Sequence, residues 1–330
     1  MKVAVCTRPR QINVEERPIP AVHADSVLVR VAVCGICGSD VRAWEGTGHK
    51  GFPHSPGHEF CGLVEQVGKD VSDVAVGQRV VIDPNLACGE CAFCRAGRPN
   101  LCDRLKSRRI KSNGGLAEYV ALDARMVYPL PDHVSAALAT LIEPLSCAVH
   151  AARLAEAIHG ECVAVFGAGQ MGFLTGLVLK SLGFEPVLVE PCEQRRARVE
   201  RLLGLRAMTP SELDGSELVG EIPVAIDCSG SLPAVGQAIR VLRKAGRFVL
   251  AGLVGGHENG VIPLMEITVK ELEVKGAWLN PDTFSAAIDL AAVWQDALDG
   301  LETELFTLEE AQGAFVRAST PDAPRILVKP

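Results

Sequence analysis

Four cysteines crowd one short segment of this chain: Cys88, Cys91 and Cys94 at three-residue intervals, then Cys102 after seven further residues. Thiolates this close repel one another unless a cation holds them, and a tetrahedral all-cysteine set is the usual closed structural zinc site. An iron–sulfur cluster would use the same donors but fits the remaining motifs less well. A second set of candidate ligands is dispersed. It comprises Cys37 in Gly35-Ile36-Cys37-Gly38-Ser39-Asp40, the pair His58-Glu59 after Gly57, and Glu143 in Ile142-Glu143-Pro144-Leu145. Spacing does not join these residues, and a single His or Cys is more often structural than a ligand. Together they offer soft and borderline donors suited to a catalytic zinc with one open position.

A third motif would hold a dinucleotide. Val163-Ala164-Val165-Phe166 reads as an apolar strand, Gly167-Ala168-Gly169-Gln170-Met171-Gly172 matches GxGxxG, and a helical run continues to Leu182. Gly167 permits the tight turn, and Gly169 lets a pyrophosphate approach the backbone. Gln170 and Met171 open the helix whose N-terminus supplies amide donors, and Gly172 lets that helix pack close to the strand. Alone the pattern is weak. It gains from a second strand, Val187-Leu188-Val189-Glu190, ending in an acid placed to hydrogen-bond a ribose hydroxyl. A carboxylate there repels the extra phosphate of NADP, so Glu190 favours NAD. Arg195 keeps NADP open as the lesser alternative, although Arg195 and Arg196 also read as solvated residues of a helix over 193–203.

The elements that must position these groups fall into two patterns. In the first part, short β-rich runs alternate with turn residues: Lys2 to Thr7, Ser26 to Cys34, Cys61 to Val67, Arg79 to Ile82 and Glu118 to Leu122. This is the signature of an irregular barrel. After about Ser135, apolar helical stretches alternate with compact strands at Cys162 to Phe166, Pro186 to Glu190, Pro223 to Asp227 and Gly246 to Ala251. Such βαβ alternation implies a parallel sheet covered on both faces, and an α/β fold. The segment from Met208 to Pro223 is too short and turn-rich for a full helix, and a helix is expected from Thr283 to Leu298.

Whole-chain numbers bound the function. A length of 330 residues favours two domains, and 48% hydrophobic residues with 22% charged describe a globular protein. A net charge of −7 gives no basic footprint for nucleic acid. No uncharged apolar run reaches the length of a membrane span, and Met1 to Cys6 reads as a strand rather than a signal peptide, so a cytoplasmic protein is expected. Twelve cysteines in a reducing compartment point to metal before disulfides. Cys6, Cys61, Cys147, Cys162, Cys192 and Cys228 lie among apolar residues and read as small core side chains.

With these residues assembled, the chain resembles the zinc-containing medium-chain dehydrogenase/reductase superfamily over essentially its full length. The resemblance rests on Cys37-Gly-Ser-Asp40, Gly57-His-Glu59, the four-cysteine segment, Gly114-Gly-Leu-Ala-Glu-Tyr119, Glu143-Pro-Leu145 and the Gly-rich turn. Within the superfamily the polyol and sugar-acid branch, with sorbitol and threonine dehydrogenase relatives, is the nearest likeness, because alcohol dehydrogenases proper usually carry a cysteine in place of Glu143. The resemblance implies a GroES-like catalytic barrel over residues 1–145 with a structural zinc lobe at 88–102. It further implies a Rossmann domain over 146–280 and a C-terminal return, 281–330, to the catalytic domain.

The resemblance also implies two zincs per chain, with Cys37 and His58 as ligands of the catalytic one. Glu59 and Glu143 share the rest, either carboxylate binding directly. Zinc with the Cys37 thiolate and one carboxylate is neutral, whereas both carboxylates leave the site negative. The expected reaction is oxidation of a secondary alcohol, with zinc as Lewis acid and hydride passing to the nicotinamide. Ser39 would carry the first proton away and Asp40 would orient the site. Relatives often place a histidine two residues beyond that Asp as the end of a proton relay. Here Arg42 stands there and cannot accept a proton. His49 is a candidate substitute, though an ordinary loop histidine is the simpler reading.

Substrate specificity has fewer pointers. Arg104, Lys106, Arg108, Arg109 and Lys111 form a basic run that reads as a solvated loop, or as a grip on a substrate carboxylate or phosphate through Arg109 or Lys111. Trp44 and Phe52 wall the substrate cleft or anchor their loop, and Trp278 and Trp294 suit core or subunit packing. A polyhydroxylated substrate, a polyol, cyclitol or sugar acid, is the leading expectation. An amino alcohol is the second, and a catalytically silent cofactor-binding protein the third. The resemblance adds a homodimer or homotetramer.

Overall fold

Valine at every second position makes Ser26–Gly35 a strand, and burial of side chains on both its faces makes it a central one. The computed structural model describes residues 1–48, 51–105, 114–253, 262–320 and 322–330. In chain order the elements begin with β1 (Lys2–Arg8), β2 (Gln11–Glu16), β3 (Ser26–Gly35), α1 (Gly38–Glu45), β4 (Glu59–Val67), β5 (Arg79–Ile82) and α2 (Ala92–Arg95). β6 (Tyr119–Asp123), β7 (Val127–Pro129), α3 (Ala136–Ala139) and α4 (Ile142–Ala155) follow. Next come β8 (Val163–Phe166), α5 (Gln170–Ser181), β9 (Val187–Val189), α6 (Glu193–Leu203), β10 (Ala207–Met208), α7 (Pro210–Asp214), β11 (Ile222–Asp227), α8 (Leu232–Val241) and β12 (Leu242–Leu250). The chain closes with α9 (Leu264–Val269), β13 (Glu273–Gly276), α10 (Phe284–Val293), α11 (Gln295–Asp299), β14 (Thr303–Thr307), α12 (Ala311–Ala318) and β15 (Arg325–Lys329).

One compact unit comprises Met1–Glu143 and Ala287–Pro330. Its main sheet runs β14-β15-β3-β4-β5-β7. β3 is the hub: one edge pairs antiparallel with β4, while the other is taken by β6 along its first half and by β15 at its end. The aliphatic core includes Val27, Val29, Val64, Val80, Ile82, Leu116 and Val120, closed by Phe60 and by Phe315 of α12. Trp44 of α1 is buried with its ring 5.8 Å from that of Phe315, so it anchors its helix. Phe52 packs half-buried against the same core.

The second unit, Pro144–Ala286, holds a six-stranded sheet in the order β10-β9-β8-β11-β12-β13 with every pairing parallel. Its inner strands β8, β9 and β11 are near-continuous apolar runs buried along their whole length, as a sheet covered on both faces requires. The strand order reverses beside β8, the switch point at whose carboxyl ends ligands bind in doubly wound folds. The short Met208-to-Pro223 segment holds only the five residues of α7, opened by Thr209 with Glu212 in a reciprocal capping box.

Two expectations need correction. The helix anticipated from Thr283 to Leu298 is two helices, α10 and α11, because Trp294 leaves helical geometry at φ −102° and ψ 23°. Of the six scattered cysteines, Cys6 and Cys61 are core residues, but Cys147, Cys162, Cys192 and Cys228 are half-buried. Cys162, Cys192 and Cys228 sit at the ends of elements, where apolar sequence neighbours do not guarantee cover.

Candidate active site

Strand register assembles the dispersed ligands. β3 and β4 run antiparallel with Gly35 opposite Glu59, so the end of β3, which leads into Cys37, meets the start of β4, which carries His58 and Glu59. Donor atoms of Cys37, His58 and Glu59 all lie within 4.8 Å of one another. A Cβ at Gly35 would lie 2.7 Å from Glu59 Oε2, so a side chain there would push the carboxylate out of its present place in the cluster. Cys37 caps the N-terminus of α1, and Asp40 in the first turn accepts hydrogen bonds from the Cys37 and Gly57 amides at 3.4 and 3.3 Å. Asp40 Oδ2, the oxygen that accepts from the Cys37 amide, also lies 3.1 Å from His58 Nδ1, which leaves Nε2 as the nitrogen available to a metal.

The electrostatics of this cluster are those of a site built around a cation. Burial would push the His58 imidazole down, but the negative neighbours Asp40 and Cys37 raise it well above its ordinary value. Burial pushes the Glu59 carboxyl up, opposed by His58 and by Arg325. Arg325, at the start of β15, is itself lowered to about 10 by burial, against the pull of Glu59, Cys61 and Cys34. Its Nη1 donates to the Ala137 carbonyl at 2.9 Å. A half-buried thiol with a buried imidazole and a buried carboxylate, all in mutual reach, matches the donor preferences of zinc. Ser39 adds a buried hydroxyl with no hydrogen-bond partner among the described residues. Glu143, the second residue of α4, is also buried but is not a member of the close cluster.

The four-cysteine lobe closes on itself. The sulfurs of Cys88, Cys91, Cys94 and Cys102 all lie within 4.8 Å of one another, with Cys91 and Cys94 3.5 Å apart. Cys88 Sγ accepts from the Glu90 and Cys91 amides and from Arg104 Nη2 at 3.4 to 3.5 Å; Cys102 Sγ accepts from the Cys88 and Arg104 amides at 3.3 and 3.4 Å. The Glu90 amide is the main cause that lowers Cys88 to about 6, whereas desolvation and the neighbouring sulfurs push Cys94 up to about 12. Four sulfurs in this arrangement cannot all be thiolates without a cation, which fits a closed zinc site. Arg104 belongs to this lobe, where it also pairs with Glu90. Lys106, Arg108, Arg109 and Lys111, with His49, lie outside the described residues.

At the end of β8 the three glycines of the turn separate by role. Gly167 takes φ +90°, and a Cβ on Gly172 would lie 1.8 Å from the Gly167 carbonyl oxygen, so the fold itself demands both. Gly169 has φ −63° and no protein atom within 4 Å of an added Cβ. The fold would tolerate a side chain there, and the space it would fill is the cradle a pyrophosphate needs. Gly169 caps α5 without any side-chain cap, and Gln170 and Met171 are the first helical residues. Glu190, just past β9, is buried; its Oε2 accepts from the Ala168 amide at 2.7 Å and its Oε1 from the Cys192 amide at 3.0 Å. Arg195 Nη1 lies 3.8 Å from Glu190 Oε1, so it is more than a solvated helix residue.

Sequence reasoning passed over two arginines, Arg325 beside Glu59 and Arg198 beside the Gly-rich turn. Each looks like an ordinary surface charge in sequence. For Arg325 the usable signal is a lone charge opening the apolar run Ile326-Leu327-Val328.

Comparison with known proteins agrees with this geometry. The family model of the alcohol dehydrogenase GroES-like domain matches residues 23–132, and that of zinc-binding dehydrogenases matches residues 171–293. D-xylulose reductase A of Aspergillus oryzae is 32% identical over 323 residues, covering 92% of this chain and 90% of that protein. A structure assigned as a zinc-binding dehydrogenase from Sinorhizobium meliloti, bound to NADP, is similar at a TM-score of 0.91 and 31% identity, covering 100% of this chain and 99% of that one. 2R,3R-butanediol dehydrogenase from Bacillus subtilis is similar at 0.87 and 28% identity, again covering 100% and 99%.

Proposed function

The chain belongs to the zinc-containing medium-chain dehydrogenase/reductase superfamily, and on that premise we propose that it interconverts a secondary alcohol of a polyhydroxylated substrate and its ketone, using NAD. The close cluster of half-buried Cys37 with buried His58 and Glu59, and the unpartnered Ser39 hydroxyl beside Asp40, carries this reading. The names of the relatives support the substrate class: D-xylulose and 2R,3R-butanediol each place an oxygenated carbon next to the reacting one. A polyol, cyclitol or sugar acid has the same feature.

Zinc, when bound, eases loss of the substrate hydroxyl proton near neutral pH, and the nicotinamide ring exchanges the hydride. Cys37, His58 and a carboxylate, Glu59 in preference to Glu143, hold the metal. Asp40 fixes the ring of His58. Ser39 takes the substrate proton and passes it to water, because Arg42 on the same helix has no capacity to accept it. Cys88, Cys91, Cys94 and Cys102 hold the second, structural zinc. Gly169 and the start of α5 receive the pyrophosphate, and the carboxylate of Glu190 at the tip of β9 favours NAD over NADP.

Two further features support the surroundings of this reaction. β13 is an edge strand, and Leu264, Met265, Val269, Val274 and Trp278 around it are exposed, which suits a homodimer formed through that edge. All twelve cysteines are free thiols and no helix among the described residues is long and apolar enough to cross a membrane, as suits the reducing cytoplasm.

The test is reduction of NAD and of NADP by the zinc-loaded protein across polyols, cyclitols, sugar acids, vicinal diols and amino alcohols. The proposal expects the highest kcat/KM with a polyhydroxylated substrate and NAD. Turnover confined to amino alcohols, or none at all, would overturn it.

A further inference from the structure

The Gly-rich turn has a support outside its own motif. Arg198 of α6 donates from Nη2 to the Ala168 carbonyl at 2.7 Å, and its guanidinium carbon lies 5.6 Å from the ring centroid of Phe173 on α5. Phe173 is fully buried, so the ring is a fixed platform for the cation. Ala168 is therefore held at both polar groups, its amide by Glu190 and its carbonyl by Arg198.

The carbonyl matters because of what it is bonded to. The peptide joining Ala168 to Gly169 is planar and trans, so its C=O and its N–H point in opposite directions. Holding the Ala168 oxygen toward Arg198 turns the Gly169 N–H to the opposite face of the turn. A peptide preceding glycine flips more readily than most, because glycine tolerates the backbone angles on both sides of the flip. Once flipped, this peptide would present a carbonyl oxygen where an anion is to bind.

We propose that Arg198 is a positioning residue for the cofactor: it locks the Ala168–Gly169 peptide so that the Gly169 amide faces the dinucleotide phosphate. The inference rests on the reading of this turn as the dinucleotide site. Arg198 acts through the Ala168 carbonyl, so its effect belongs to phosphate binding and not to hydride transfer.

The experiment measures calorimetric affinity of the full-length zinc-loaded protein for ADP-ribose, which carries the pyrophosphate, and for adenosine, which does not. Arg198→Met keeps much of the packing but removes the donor. It should weaken ADP-ribose by at least about tenfold, the scale of a lost charge-assisted hydrogen bond, while adenosine binds as before. In steady state the loss should fall on the KM for NAD rather than on kcat, and Arg198→Lys should restore part of it. Gly169→Ala is the control on the site, because its added Cβ meets no protein atom within 4 Å and the fold is expected to persist. If folded Gly169→Ala binds ADP-ribose normally, the dinucleotide reading of the turn fails and the role of Arg198 fails with it. If Gly169→Ala loses ADP-ribose while Arg198→Met keeps it, only the role of Arg198 is overturned. Equal losses for ADP-ribose and adenosine in Arg198→Met, with a matching fall in thermal stability, would also overturn it by making the residue merely structural.

Discussion

Cys88, Cys91, Cys94 and Cys102 lie so near in sequence that local turns bring their sulfurs together, whereas Cys37, His58 and Glu59 meet only because β3 and β4 pair with Gly35 opposite Glu59. The lobe satisfies its sulfurs with its own backbone amides and leaves most of them half-exposed. The other cluster buries its imidazole and carboxylate and draws its supporting charges, Asp40 and Arg325, from α1 and the last strand. A locally built site should fail locally. A site built by sheet register should keep the fold when a ligand is lost, because backbone pairing and not the ligand holds the strands together.

The largest expected effects test that contrast directly. His58→Ala should cost at least about a thousandfold in kcat/KM, several kcal/mol of transition-state stabilisation, while the barrel still folds and melts cooperatively, no lower than the chelated parent protein at neutral pH. Metal analysis should show one zinc per chain in place of two. Cys91→Ser should also leave one zinc, but its damage should be tryptic cleavage at Arg95 and Arg104, with kcat reduced by no more than about tenfold, or ~1.4 kcal/mol. If His58→Ala retains two zincs, or Cys91→Ser unfolds the barrel, the local-versus-register distinction breaks.

The two carboxylates sharpen the assignment inside the register-built cluster. Glu59 lies within the close set of donors and Glu143 does not. Glu59→Gln should therefore weaken zinc at this site by about ten- to a hundredfold in competition with a chelator, and Glu143→Gln by clearly less. The reverse order would move the carboxylate ligand to α4.

Raising the pH should separate the metal-free and metal-bound forms. The folded value of His58 is raised above its ordinary 6.5, so in the chelated protein the imidazolium stabilises the fold fully below about 6.5 and that contribution is lost as pH rises through the raised value. Zinc needs the neutral imidazole, so its affinity moves the other way and falls as the pH drops through the same range. Melting curves with zinc and with chelator should diverge as the pH is raised. Parallel curves would show that His58 does not exchange a proton for the metal.

How much of this was legible in the sequence follows from the same contrast. The lobe and the Gly-rich turn could be read from spacing, because each is a short run whose chemistry is complete within a few residues. Cys37, His58 and Glu59 were joined in sequence only by family resemblance, since nothing local states that Gly35 will face Glu59. Arg325 was missed for the same reason: its role depends on β15 pairing with β3. The break at Trp294 was missed because Thr283 to Leu298 stays apolar at helical spacing through it. Cys162, Cys192 and Cys228 were placed too deep because apolar neighbours in sequence say little about cover at an element's end, and Cys147 because the half-covered side of a largely buried helix is not marked by its neighbours.

The smallest effect belongs to the arginine of the lobe. Arg104 donates to Cys88 Sγ and pairs with Glu90, but its side chain is 59% exposed, whereas Arg325 is half-buried with its Nε and Nη2 covered. Water and salt screen an exposed cation, so removing it should change little even though four thiolates around zinc carry net negative charge. Arg104→Met should raise the rate of zinc release from the lobe to a colorimetric chelator by no more than about fivefold, and added salt should shrink the difference further. Arg325→Met should loosen the other zinc by more, with little salt dependence, because Glu59 is buried and water cannot replace the lost cation beside it. If Arg104→Met releases the lobe zinc as readily as Arg325→Met releases the other, the lobe is not held by its own backbone amides, and its self-sufficiency is wrong.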